Sequence, residues 1–246
     1  MPEEHPYGTP PPSPYDEYAD AWAERIRSGE NLYHRYLEKP RMLERLPNLN
    51  GMAVLCLGCG SGEECFALSL LGTRRVVGID VSAGLLDIAK RSYPQLEFTY
   101  MDMNSIAFHD EEFDFAYSSL AFHYLIDLRP MFKRLHRILK PMGRVLFSSH
   151  HPLWWASDGD YLRSRSMKVR LYDQLDVTVA HKPLSEIFSE IRESGFLLRN
   201  FIEPAPLPEL QDIDPALYAT LKRVPIFMIL ELEKREDFHP PARVRN

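Results

Sequence analysis

The run Val54-Leu55-Cys56-Leu57-Gly58-Cys59-Gly60-Ser61-Gly62-Glu63 constrains this chain more than any other ten residues. Its first half is an unbroken apolar stretch of strand length, as expected for a strand buried on both faces. Its second half carries three glycines in five positions, and a helical pattern, Ser61–Leu71, follows at once. Glycines there let the backbone take positive φ and let a ligand approach without meeting a Cβ. The start of the following helix offers unpaired N–H groups and a partial positive charge, which suit a carboxylate or phosphate of a nucleotide-like cofactor.

What surrounds this run is a β-α-β-α cadence. Strands are expected at Met52–Leu57, Arg75–Ile79, Leu96–Tyr100, Phe113–Ser118 and Arg144–Ser148, with helices at Ala83–Arg91 and Leu128–Leu139. Such alternation argues for parallel strands with helices on both faces. Ahead of it, Tyr18, Trp22 and Ile26 step along one helical face, and Leu32, Tyr36, Leu43 and Leu46 along another. Behind it, the alternating pattern of Ser166–Ala180 predicts an inserted hairpin. Leu184–Ser194 reads as a helix, and Phe196–Ile202 and Ile226–Leu232 as two last strands. Proline-rich 203–215 reads as a loop. One domain is therefore expected over 15–235. A helical lid over 15–48 precedes the sheet, and the hairpin over 156–182 covers an acceptor pocket. A disordered proline-rich tail is expected over 1–14 and a polar tail over 236–246.

Two acids give the glycine turn its context. Asp80 ends the second strand, close to the twenty-residue offset at which a ribose-binding acid is placed in dinucleotide folds. Asp102 follows the third strand on the same edge, where an exocyclic amine is its natural partner. A strand-end aspartate taken singly is more often a helix cap. Three such features in register are a different matter.

With these residues in view, the chain resembles the class I S-adenosylmethionine-dependent methyltransferases. Gly58-x-Gly60-x-Gly62 is similar to that family's glycine motif and unlike the GxGxxG of nicotinamide dehydrogenases. Gly78-Ile79-Asp80-Val81-Ser82 resembles its ribose motif and Asp102-Met103 its adenine motif. Phe113–Tyr124 resembles its fourth-strand segment, and Leu139-Lys140-Pro141-Met142-Gly143 its turn into strand five. The resemblance covers roughly residues 30–235. It implies a Rossmann-like seven-stranded α/β sheet of order 3-2-1-4-5-7-6, with the last strand antiparallel. It also implies S-adenosyl-L-methionine as cofactor, held by Gly58, Cys59, Gly60, Gly62, Asp80, Val81, Asp102, Met103 and Ser118. One position departs: the family usually carries an acid where this chain has Cys56.

For the methyl acceptor, the ends of strands four and five offer His123 and the pair His150-His151, with Trp154 and Trp155 as walls. These histidines are the candidate general bases. Net charge is −6, which argues against nucleic acid and for a small-molecule acceptor. The first residues lack a basic patch and an apolar stretch, and no window is apolar enough to span a membrane, so a cytoplasmic monomer or homodimer is expected. Cys56, Cys59 and Cys65 cluster without a second CxxC, so reduced thiols and no metal are expected. Two other readings remain: a catalytically silent methyltransferase-like binding module, and a nicotinamide oxidoreductase, which the glycine spacing disfavours.

Overall fold

The computed structural model describes residues 13–156, 158–172 and 175–238. Among the described residues nine strands run β1 (Ala53–Leu57), β2 (Arg75–Asp80), β3 (Glu97–Tyr100), β4 (Phe113–Ser118), β5 (Leu139–His150), β6 (Arg165–Leu171), β7 (Leu175–His181), β8 (Phe196–Ile202) and β9 (Phe227–Lys234). Seven of them form one sheet of order β3-β2-β1-β4-β5-β9-β8, while β6 and β7 pair only with each other. β1 to β5 are parallel, and β9 runs antiparallel to both β5 and β8. Counting the sheet strands alone, this is the expected 3-2-1-4-5-7-6.

The period-two pattern of β1 explains its central place. Ala53, Leu55 and Leu57 enter the core on one face of the sheet, with α5 (Arg129–Ile138) and α7 (Leu184–Glu193). Val54 and Cys56 enter the other, with α2 (Lys39–Glu44), α3 (Glu63–Ser69) and α4 (Ala83–Ser92). All five residues are buried, as a strand covered on both faces requires. α1 (Ala19–Ser28) lies outside α4 through Ala19, Ala23, Leu85 and Ile88. Charge is concentrated at the edge away from the glycine turn. There Asp114 accepts from Ala53 N (2.8 Å) and Lys140 Nζ (2.6 Å), and Arg75 bridges Glu97 and Glu112.

The structure departs from the sequence expectations in several places. The helix expected over Ser61–Leu71 shrinks to Glu63–Ser69, because Gly58, Gly60 and Gly62 all hold positive φ. β5 begins at Leu139 rather than Arg144, with an irregularity at Met142 (φ 61°) and a register shift against β4. Within the expected loop 203–215 lies α8 (Leu210–Ile213), and α9 (Pro215–Leu221) follows. Leu210 and Leu221 are buried with Leu37, Ile226 and Phe227, so the proline-rich stretch is fastened by tertiary packing. Most of both expected tails, 1–12 and 239–246, falls outside the described residues. Where described, the ends are packed: Ser13 N bonds Asp16, and the Phe238 ring lies 5.4 Å from His136. α6 (Pro152–Trp155) is a single short turn after β5.

Candidate functional site

The three glycines of the turn are required for different reasons. Gly58 has φ 64°, and a Cβ there would lie 2.5 Å from Ala121 Cβ. Gly62 has φ 92°, and its Cβ would lie 2.9 Å from the Phe98 ring. Gly60 (φ 53°) faces open space, with nothing within 4 Å of the Cβ position. The turn thus packs tightly at both ends and is open at its centre. Its shape is held by Cys59 N to Ile79 O (3.0 Å) and Gly62 N to Cys59 O (3.0 Å).

Asp80 clasps this turn. Its Oδ2 accepts from Gly60 N (2.8 Å) and its Oδ1 from Ser82 N (2.9 Å). Burial pushes this carboxyl above its ordinary value, opposed by the N–H groups of Ser82, Gly60 and Val81. The lone pairs of the carboxylate that these N–H groups leave over are open to a vicinal diol. Val81 beside it is 40% exposed, an apolar surface at the strand end. On the neighbouring strand, Asp102 is exposed, and its Oδ1 accepts from Asn104 N (2.7 Å). It caps the short turn that Met103 opens, so the cap role and an outward-facing carboxylate coexist. Met103 itself leans on the core.

Two expected cofactor contacts are committed elsewhere. Ser118 Oγ donates to Leu57 O (2.9 Å) and ties β4 to β1. Cys59 turns its thiol inward, so close to Gly78 that a Cβ there would lie 2.8 Å from Sγ. Burial pushes that thiol's pKa well up, and all three cysteines are free and buried. The anion expected at the start of α3 also meets a poor setting. That helix has seven residues, and Glu63 and Glu64 occupy its first turn.

The histidines divide. His123 follows β4 and His150 ends β5, and their rings stand 4.6 Å apart, edge to face. Trp155 lies 4.9 Å from His150. Burial, with His150 adding, pushes His123 well below its ordinary value, and burial alone brings His150 down to about 4. His151 points away, because successive residues of an extended segment face opposite sides. Its Nδ1 accepts from Leu153 N (3.2 Å), and its Nε2 lies 3.2 Å from Glu203. The structure therefore gives His151 the geometry of a cap on α6, not that of a base beside its neighbour.

Residues 55–147 match the family described as a methyltransferase domain. A solved structure from Listeria monocytogenes, assigned to the S-adenosylmethionine-dependent methyltransferases, superposes with a TM-score of 0.73. It is 27% identical over 81% of this chain and 97% of that one. The match and the shared fold support a class I S-adenosylmethionine-dependent methyltransferase domain around residues 55–147. Similarity extends to a malonyl-[acyl-carrier protein] O-methyltransferase from Yersinia pestis, 33% identical over 40% of this chain and 37% of that protein. A 27-O-demethylrifamycin SV methyltransferase from Amycolatopsis mediterranei is 26% identical over 70% and 72%. The chain spans about half the length of the first curated relatives it matches. Among the described residues, no helix is long and apolar enough to cross a membrane.

The same edge of the sheet also depends on residues that motif reading missed. Asp16 accepts from Ser82 Oγ (2.7 Å), Gly84 N (3.0 Å) and Ser13 N (2.8 Å), fastening the N-terminal segment to the start of α4. Burial pushes its carboxyl up, but these bonds together hold it below the usual range. Tyr15 OH lies 2.5 Å from Tyr124 OH, and Tyr15 and Trp22 pack with Leu175, Val177 and Val179 of the hairpin. The N-terminal helices and the hairpin therefore meet beside the glycine turn. Glu38, fully buried in a π-helical turn, accepts from Ser119 Oγ (3.0 Å) and Ser148 Oγ (2.5 Å). It comes near Tyr117, the register partner of Cys56, and so brings a carboxylate toward the strand position that lacks one.

Proposed function

We propose that this protein transfers a methyl group from S-adenosyl-L-methionine to a small-molecule acceptor. The observation that carries the reading is the clasp of Asp80 on Gly60 N and Ser82 N beside a glycine whose Cβ position opens onto free space. Side chains at Gly58 or Gly62 would strike their neighbours, so the turn is shaped to keep a cradle clear.

In this reading Asp80 receives the ribose hydroxyls, Val81 lies against the adenine and Asp102 takes the adenine amine. Gly58, Cys59, Gly60 and Gly62 contribute backbone, while Met103 and Ser118 shape the strand ends behind. The bound cofactor supplies an electrophilic sulfonium methyl, so the protein's task is to align an acceptor and exclude water. The Nδ1 atoms of His123 and His150 are neutral, buried and without a protein partner, and either can take the proton that the acceptor releases. His151 positions α6. The joined N-terminal helices and hairpin act as the lid. Net charge of −6 favours a small molecule over nucleic acid, and we place the enzyme in the cytoplasm as a monomer or homodimer.

Calorimetry with S-adenosylhomocysteine tests the reading. The wild-type protein is expected to bind saturably, and Asp80→Ala to bind at least tenfold more weakly, about 1.4 kcal/mol. Unchanged affinity in that variant removes the ribose assignment. Saturable binding without transfer to any acceptor would favour the silent binding module.

A further inference from the structure

Between the ends of β4 and β5, the α6 turn, β7 and α7 lies a cavity of about 20 Å³, room for one water-sized group. Its walls are mostly apolar, with Phe122, Leu128, Phe147, Ile187 and Met228, and Ser149 adds one buried hydroxyl-bearing residue. Three of its lining residues carry a buried nitrogen with no protein partner: His123 Nδ1, His150 Nδ1 and Trp155 Nε1. Among the described residues, no carboxylate lines it. Its one cation, Lys182, is engaged by both oxygens of Glu190, at 2.8 and 2.6 Å.

Buried polar atoms without partners are costly and few in folded proteins. Three of them around one small apolar hollow mark a place built for a polar group that arrives from outside. We infer that this cavity is the acceptor pocket, and that it selects an uncharged, apolar compound presenting a hydroxyl group to His123, His150 and Trp155. The inference rests on the methyl-transfer reading, and it narrows the acceptor to one chemical class.

The match is one of donors and acceptors. A hydroxyl both donates and accepts. It can give its hydrogen to a neutral imidazole nitrogen and receive one from the indole N–H. A carboxylate would need several donors or a free cation, and the only cation is already held by Glu190. An ammonium would need acceptors for three hydrogens in a hollow without a carboxylate. Burying either charge unpaired in these walls is strongly unfavourable. The depressed pKa values of both imidazoles agree, since neither can act as a cationic partner near neutral pH. The segment that carries His123 also packs on the glycine turn. Ala121, two residues before His123, is the residue that a Cβ at Gly58 would strike, and Tyr124 reaches Tyr15 across the same edge. Leu153 and Trp154, exposed on α6 just outside, offer apolar surface for the rest of the acceptor.

The test uses three ligands of one shape, 4-propylphenol, 4-propylbenzoate and 4-propylbenzylamine, titrated into the full chain at pH 7.5 with binding followed by NMR. The phenol is expected to bind at least tenfold more tightly than either charged analogue. His150→Phe, which keeps an aromatic ring at the position and removes the nitrogens, is expected to abolish most of that preference. Equal or tighter binding of the benzoate or the benzylamine, or no binding of the phenol, overturns the inference. S-adenosylhomocysteine titrated into the same sample reports separately on the cofactor. A protein that prefers the phenol but ignores S-adenosylhomocysteine would count against the methyl-donor reading and leave the pocket's selectivity standing.

Discussion

Gly58 and Gly60 lie two residues apart with nearly the same φ, yet alanine at each should fail in a different way. Gly58→Ala places a methyl 2.5 Å from Ala121 Cβ, far inside van der Waals contact, on a backbone at φ 64°. The left-handed backbone costs a non-glycine residue about 1–2 kcal/mol and the forced contact about 1–3 kcal/mol, together roughly 3 kcal/mol. For a domain of this size that is a fall in Tm of ~6–12 °C. Gly60→Ala carries only the backbone cost, about 1 kcal/mol or ~2–4 °C, because nothing lies within 4 Å of its new methyl. That methyl instead enters the open space in which the proposed function seats the cofactor, so affinity for S-adenosylhomocysteine should fall at least tenfold, about 1.4 kcal/mol. Differential scanning calorimetry and isothermal titration on both variants separate the two effects. The reasoning fails if Gly60→Ala binds S-adenosylhomocysteine within twofold of wild type, or if it loses as much thermal stability as Gly58→Ala.

Two further perturbations probe the surroundings of His150 and Lys182. His150 is held at a pKa of about 4, below its ordinary 6.5, so between those values the unfolded chain binds a proton that the folded one refuses. Stability from this group is therefore complete above pH 6.5 and lost as pH falls toward 4, by up to roughly 3 kcal/mol. Denaturant melts at pH 7 and pH 4.5 should show a smaller loss in His150→Phe than in wild type, and an equal loss would refute the burial argument. Lys182→Met strands the Glu190 carboxylate, buried with only Leu128 N (3.1 Å) and Arg129 (3.8 Å) near it. Breaking a buried pair on one side costs about 3–5 kcal/mol. Lys182→Met/Glu190→Gln, which removes the stranded charge, should recover more than half of that Tm loss, and no recovery would mean the charge is not the cause.

The elements legible in the sequence are those whose causes are local. β1 shows its double burial in five consecutive apolar residues, and the glycine turn shows its strain in residue type. Asp80 is legible because the β-α-β repeat fixes how far along the chain the neighbouring strand must end. The doubled histidine misled for an equally local reason: adjacency in sequence suggested a shared site, whereas an extended backbone turns neighbours to opposite faces. His150 faces His123 and Trp155, and His151 faces Glu203. α8 and α9 were hidden because prolines read as breaks, while their burial depends on Leu37 and Phe227 from distant parts of the chain.

Glu38 and Asp16 make the same point about polar residues. Each stands in a helical stretch where a charged side chain is unremarkable, and nothing beside it in the sequence distinguishes it from a solvated one. Glu38 acquires its role from Ser119 and Ser148, which lie 81 and 110 positions away, and Asp16 from Ser82 and Gly84, 66 and 68 positions away. Ser148 in turn accepts from Leu120 N (3.0 Å), and Leu120 holds φ 51°, a conformation that costs a leucine free energy unless neighbours impose it. The turn that presses Ala121 toward Gly58 and carries His123 is thus anchored through Ser148 to a carboxylate of the N-terminal segment. The hydrogen bonds from Leu120 N to Ser148 Oγ and from Ser148 Oγ to Glu38 hold that turn from far along the chain, and a link of that length through space is invisible to any reading of spacing along the sequence.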